Sequence, residues 1–178
     1  TSIAVPPENY LENLNQGIAG LKVAYSPDLG YLRVDAEVAA PVRAAARAFE
    51  ELGCRIEEVN PGWGDPIETE HCLFASHIAG MYGGYLERWA DRMDPGLVAI
   101  IRHGMTYSAV DYCKAYGQRL AYYDKVRDFF ERYDLLLTPS LPLPAFEVGD
   151  LVPRSGDWGT AWCDWAPFSY PFNLTTQP

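Results

Sequence analysis

Leu21-Lys22-Val23-Ala24-Tyr25, a helical run from Asp35 to Leu52, and Arg55-Ile56-Glu57-Glu58-Val59 form the stretch that decides the fold. The first segment is a short apolar-alternating strand, stopped by Ser26-Pro27 and the turn residues Asp28 and Gly30. Asp35 suits an N-cap, because its carboxylate can accept a free backbone N–H. Val38, Val42, Ala45, Phe49 and Leu52 then recur at helical spacing and share one face. Gly53 follows, where a helix turns left-handed to end. Pro41 sits awkwardly inside this run, so either a slight kink or a helix start nearer to it is expected. Arg55 to Val59 reads as a second strand, closed by Asn60-Pro61. Strand, helix and strand in so short a compass make a βαβ unit with parallel strands and a right-handed crossover. The fold class is α/β.

Working outward, residues 67–103 read as helical, with breaks at Gly83-Gly84 and Asp94-Pro95-Gly96. The longest helix is expected from Ser108 to Tyr133. Ser108-Ala109-Val110-Asp111 resembles a capping box with Asp in place of Glu. Its apolar stripe is read as Val110, Cys113, Tyr116, Leu120, Tyr123 and Phe130, widened by Tyr112, Val126 and Phe129. Asp134 to Thr138 is a continuous apolar run, the pattern of a strand buried on both faces. Residues 139–178, rich in Pro and carrying Trp158, Trp162 and Trp165, read as a long structured loop. The organisation expected is one partial domain: an arm over 1–20, an α/β body over 21–138 and an irregular segment over 139–178.

With 178 residues, 48% of them hydrophobic, the chain can bury roughly 70% of its unfolded surface. No apolar run reaches the roughly 18 residues that a membrane span needs, so no membrane is expected as a partner. The formal charge of -10, with 24 acidic against 14 basic residues, repels phosphate backbones and argues against nucleic acid. Cys54, Cys72, Cys113 and Cys163 are irregularly spaced, which suits thiols in a reducing cytoplasm. Thr1 to Pro7 has neither an initiator Met nor a basic flank with an apolar core, so the chain reads as cut from something longer.

Familiar chemistry is hard to find. There is no G-x-S-x-G elbow and no glycine-rich phosphate cradle, so no cofactor is expected. His71 and His77, six apart, point to different faces of a helix, and no metal is expected from them or from the solitary His103. Lys22 should reach solvent from its strand, and a Ser–Lys pair with it, Lys114 or Lys125 has no support in the spacing. Arg119 lies mid-way along the longest helix, beside the apolar stripe. It could snorkel to a surface carboxylate, or face a pocket and bind a polar ligand group.

Several segments together resemble the amidase-signature family: LKVAYSPDLG over 21–30, VDAEVAAPVRAAA over 34–46, and ERYDLLLTPSLPLPAF over 131–146. Pro171-Phe172-Asn173-Leu174-Thr175-Thr176-Gln177-Pro178 is similar to the family's P-x-N-L-T-G-Q-P stretch, with Thr176 where the family has Gly. Either the backbone turn there is altered or a side chain is tolerated. The resemblance implies an α/β enzyme with a mixed, mostly parallel sheet and flanking helices. It implies amide hydrolysis by a Lys, a cis-configured Ser and a nucleophilic Ser. The family carries those three in a Gly- and Ser-rich segment ahead of the region matched here, and these residues contain no such stretch. No catalytic residue is therefore assigned, the remainder of the same polypeptide is expected to supply them, and this piece alone is expected to be inactive. Glutamine-using tRNA amidotransferase subunits of the family also resemble the chain, and they imply a ligand contact for Arg119. Where they place an Asp that grips the glutamine amino group, this sequence has Ala166, which implies a less polar amide. The aromatic tail, including Trp165, Phe168 and Phe172, would suit a substrate-pocket wall or plain loop packing. The leading expectation is a fragment of an amidase acting on a small amide. The alternative is either a non-catalytic module of the same ancestry or an amidotransferase subunit. Severed sheet edges are expected to favour self-association.

Overall fold

The computed structural model describes residues 10–154 and 163–177. After a short helix α1 (Tyr10–Asn13), β1 (Lys22–Tyr25) leads into α2 (Ala36–Glu51) and β2 (Arg55–Glu58). Helices α3 (Ile67–Tyr82), α4 (Leu86–Trp89), α5 (Pro95–Gly104) and α6 (Ala109–Phe130) follow, then β3 (Leu135–Leu137) and α7 (Ser169–Thr175). The three strands run parallel in the order β2-β1-β3, with Val23 opposite both Ile56 and Leu135. The βαβ reading and the α/β class hold.

Which strand is buried on both faces differs from the expectation. Val23, Ala24 and Tyr25 are buried in succession, because β1 has a neighbour on each side. The Leu135–Leu137 run occupies an edge, and Leu135 is 39% exposed. An apolar run reports how much surface could be buried; sheet order decides how much is.

The helix ends follow local chemistry. Asp35 Oδ1 accepts from Glu37 N at 2.8 Å, so α2 starts at its N-cap and runs through Pro41. That removes the alternative of a start nearer the proline. Gly53 ends it at φ +90°. Ser108 and Asp111 form the expected capping box. Asp94 caps α5, with Pro95 at its first position, and Gly83-Gly84 turns α3 into a 3-10 segment.

Two expectations need correction. Helix α6 buries Ala115, Tyr122, Val126 and Phe129, while Val110, Tyr112, Cys113, Tyr116 and Leu120 are exposed. The buried face has steps of about 4, 3, 4 and 3 only when half-buried Arg119 is counted in it. A stripe drawn through apolar residues alone departs from the true face because a cation stands on it. The 139–178 segment is also not a loop throughout, since Ser169–Thr175 is helical. Pro171 is tolerated there because it falls in the first turn, where backbone N–H groups have no helical acceptor. Trp158 and Trp162 lie outside the described residues.

The core gathers Ala24, Leu29, Trp63, Tyr122, Val126, Phe129, Tyr133 and Phe168. Trp63 meets Phe129 edge-on, with ring centroids 5.2 Å apart. This cluster fixes α6 against the sheet and so fixes the level at which Arg119 faces α3 and α7. No helix of the described residues is long and apolar enough to cross a membrane.

Candidate functional site

Helices α3, α6 and α7 pack together around a polar cavity of about 270 Å³. Its wall includes Glu70, Leu73, Phe74 and His77 from α3, Tyr112, Tyr116 and Arg119 from α6, and Asn173 and Leu174 from α7. Arg119 is held by its Nε, which donates to Leu174 O at 2.6 Å. Among the described residues that carbonyl, rather than a carboxylate, is its hydrogen-bond partner. A cation at the last turn of α7 is favoured by the unsatisfied carbonyls there.

Thr176 ends α7 at φ 56° and ψ 32°, so the left-handed turn is kept and a β-branched side chain occupies it. Such residues avoid this region because Cβ crowds the backbone, at a cost of roughly 1–2 kcal/mol. Thr176→Gly is expected to stabilise the chain by about 1 kcal/mol in urea unfolding. No gain would mean that the Thr176 hydroxyl, donating to Thr175 O at 2.7 Å, offsets the strain.

Glu70 was not legible as a site residue in the sequence. It sits in the first turn of α3 with Glu68, where acidic residues ordinarily favour the helix dipole. The structure buries it to 7% exposure. Burial alone pushes its carboxyl up to about 7, and no cation or hydrogen bond among the described residues offsets that.

A second, mainly apolar cavity of about 250 Å³ shares Phe74 with the first. Ala75, Ala99, Ile100, Leu151 and Val152 help to line it, with His71, His103, Cys163 and Asp164 at its margin. His71 Nε2 lies 3.7 Å from Asp164 Oδ1, and its ring meets Tyr170 edge-on at 5.7 Å. The Tyr170 hydroxyl donates to Cys163 O. Burial, with help from Glu70 and Asp164, raises the Cys163 thiol, which keeps it protonated and a weak nucleophile. His71 and His77 line different cavities, and the described residues form no cluster of three metal-ligating side chains.

The side chains named from sequence do not converge. Arg119 alone of the four lines the polar cavity. Trp165 stacks edge-on with Phe146 at 5.3 Å, and Ala166 accepts from Ser169 in a turn. Phe168 is 1% exposed and belongs to the core, so it is packing and not pocket wall. Phe172 leans on Trp63 and borders a separate cleft with Leu136 and Gln177.

The family model described as Amidase matches residues 1–178. An acylamidase of Rhodococcus erythropolis is 32% identical over 184 residues, covering 99% of this chain and 38% of the relative. A glutamyl-tRNA(Gln) amidotransferase chain of Geobacillus stearothermophilus is 30% identical, covering 84% of this chain and 36% of the relative. The solved structure of 6-aminohexanoate cyclic dimer hydrolase complexed with substrate superposes with a TM-score of 0.78 at 18% identity, covering 96% of this chain and 39% of that one. The chain therefore spans little more than a third of the length of the relatives it matches.

Proposed function

The chain belongs to the amidase family, and from that premise we propose that it forms the substrate-recognition side of an enzyme hydrolysing the carbon–nitrogen bond of a small amide. The nucleophile and its Lys and Ser partners come from the remainder of the polypeptide in this reading, since these residues hold no G-G-S-S-type stretch.

The observation that carries the reading is Arg119. A guanidinium on the buried face of a 22-residue helix, braced through Nε, presents its remaining N–H groups to an open cavity that has room for a small amide. A carbonyl or carboxylate oxygen is the group such a donor selects. The adjoining apolar cavity supports a less polar acyl or amine portion beside it. The exposed α6 side chains Val110 and Leu120 would seat further chain or a second copy. Four free cysteines suit a reducing, cytoplasmic setting. An amidotransferase subunit is the second reading, favoured by its 30% identical relative; a partner subunit that co-purifies would support it.

The test is amide hydrolysis by the complete protein that contains these residues. A charge-assisted hydrogen bond contributes roughly 1.5–3 kcal/mol. Arg119→Met is therefore expected to lower kcat/KM at least about tenfold. Hydrolysis of no amide by the complete protein, or an unchanged kcat/KM in a folded variant, overturns the proposal.

A further inference from the structure

Glu70 and Arg119 line the same cavity, yet Glu70's elevated carboxyl owes nothing to the guanidinium. The two charged side chains are thus separate poles of one space, not an ion pair. Arg119 has its Nε anchored to Leu174 O and keeps its other nitrogens as donors. Glu70 is more than nine-tenths buried and has no hydrogen-bond or ion-pair partner among the described residues. Its carboxyl oxygens meet the open cavity and not a protein donor, so a ligand that displaces the water there must supply their partner. An acid held so, in the wall of a cavity, is poised for a partner that arrives from outside the chain.

We infer that Glu70 is a specificity residue, and that the cavity takes an amide carrying an amino group, its oxygen toward Arg119 and its nitrogen toward Glu70. This rests on the amidase reading and replaces the less polar amide expected from Ala166 with one that carries an amine. An ammonium supplies both the hydrogen bond and the charge that Glu70 lacks. A plain alkyl amide supplies neither and leaves the acid buried and alone, which is how a polar site rejects an analogue. Leu73, Phe74, Tyr112 and Tyr116 enclose the methylene spacer.

The experiment compares 3-aminopropanamide with butanamide, a matched pair with and without the amine, on the complete protein and on Glu70→Leu and Glu70→Gln. Binding is read by calorimetry with the intact amides, and hydrolysis by ammonia release. Glu70→Leu is expected to weaken 3-aminopropanamide at least about tenfold, in affinity and in kcat/KM, and to strengthen butanamide, since the unpaired acid that rejects it is gone. Glu70→Gln, which keeps the shape and an acceptor oxygen, is expected to fall between. A thermal melt confirms folding, and replacing an unpaired buried acid by Leu should not lower it. If wild type binds 3-aminopropanamide but hydrolyses neither amide, and Glu70→Leu loses that binding, the amine pole stands and the amidase reading falls. If both amides are hydrolysed and Glu70→Leu affects them equally, or not at all, the amine pole is overturned and the amidase reading stands.

Discussion

Gly104→Ala is expected to destabilise the fold by about 3 kcal/mol or more, the upper end of what overpacking costs. Gly104 ends α5 where that helix lies directly on α3. A Cβ built there would stand 1.9 Å from Ala75 O and 2.8 Å from the Ala79 Cβ. The nearest obstacle is a backbone carbonyl, which cannot rotate away as a long side chain would. Relief requires α5 to withdraw from α3 by more than an ångström, and Ile101, now fully buried, would lose packing with it. Gly80→Ala is the control: it lies on the exposed side of α3, nothing stands within 4 Å of its added carbon, and alanine there should stabilise by about 0.5–1 kcal/mol. Urea unfolding of both variants measures the difference. Equal, small effects would show that α3 and α5 do not hold the close approach described. Because α3 also carries Glu70, the alanine should disturb the polar cavity at a distance, with a rise in KM as its sign.

The fold was legible where local chemistry decides it, and the site was not. Asp35, Gly53, Ser108 with Asp111, and Asp94 with Pro95 each satisfy or release specific backbone groups, so helix ends could be placed without tertiary knowledge. The parallel βαβ followed from lengths and hydrophobic pattern. Burial of β1 over β3 could not follow, because sheet order is set by contacts between segments far apart in the chain. The face of α6 was hidden for a related reason: what is buried depends on α3 and α7, and an arginine anchored by Leu174 O can stand on a buried face that a hydrophobicity count would never give it. Glu70 was the hardest. In sequence it is one of two acids in a first turn, and only the arrival of α6 and α7 distinguishes it from exposed Glu68. Arg119 was singled out from sequence, but its pairing with the end of α7 required the helix over Ser169–Thr175 that the Pro- and Trp-rich composition concealed.

Glu70→Gln should stabilise the chain in a strongly pH-dependent way. The folded protein holds the Glu70 carboxyl at about 7, whereas an unfolded chain returns it to the ordinary value of 4.5. Between those values the folded state keeps a proton that the unfolded state has lost, so stability falls as pH rises. The contribution is fully present below about pH 4.5 and is lost as pH climbs through about 7. A displacement of that size corresponds to roughly 3 kcal/mol, and glutamine, which does not titrate, escapes it. Other acids titrate alike in both proteins and cancel in the difference. The gap in unfolding free energy between Glu70→Gln and wild type is therefore expected to widen by about 2–3 kcal/mol from pH 5 to pH 8, then to stay level. A gap that does not change with pH would mean that folding leaves the Glu70 carboxyl at its ordinary value. Saturating 3-aminopropanamide sharpens the test, since an ammonium beside Glu70 should lower its proton affinity and flatten the wild-type curve. A buried acid without a partner costs stability at neutral pH, and a ligand that offsets that cost only when it carries an amine ties the stability profile to the specificity of the cavity.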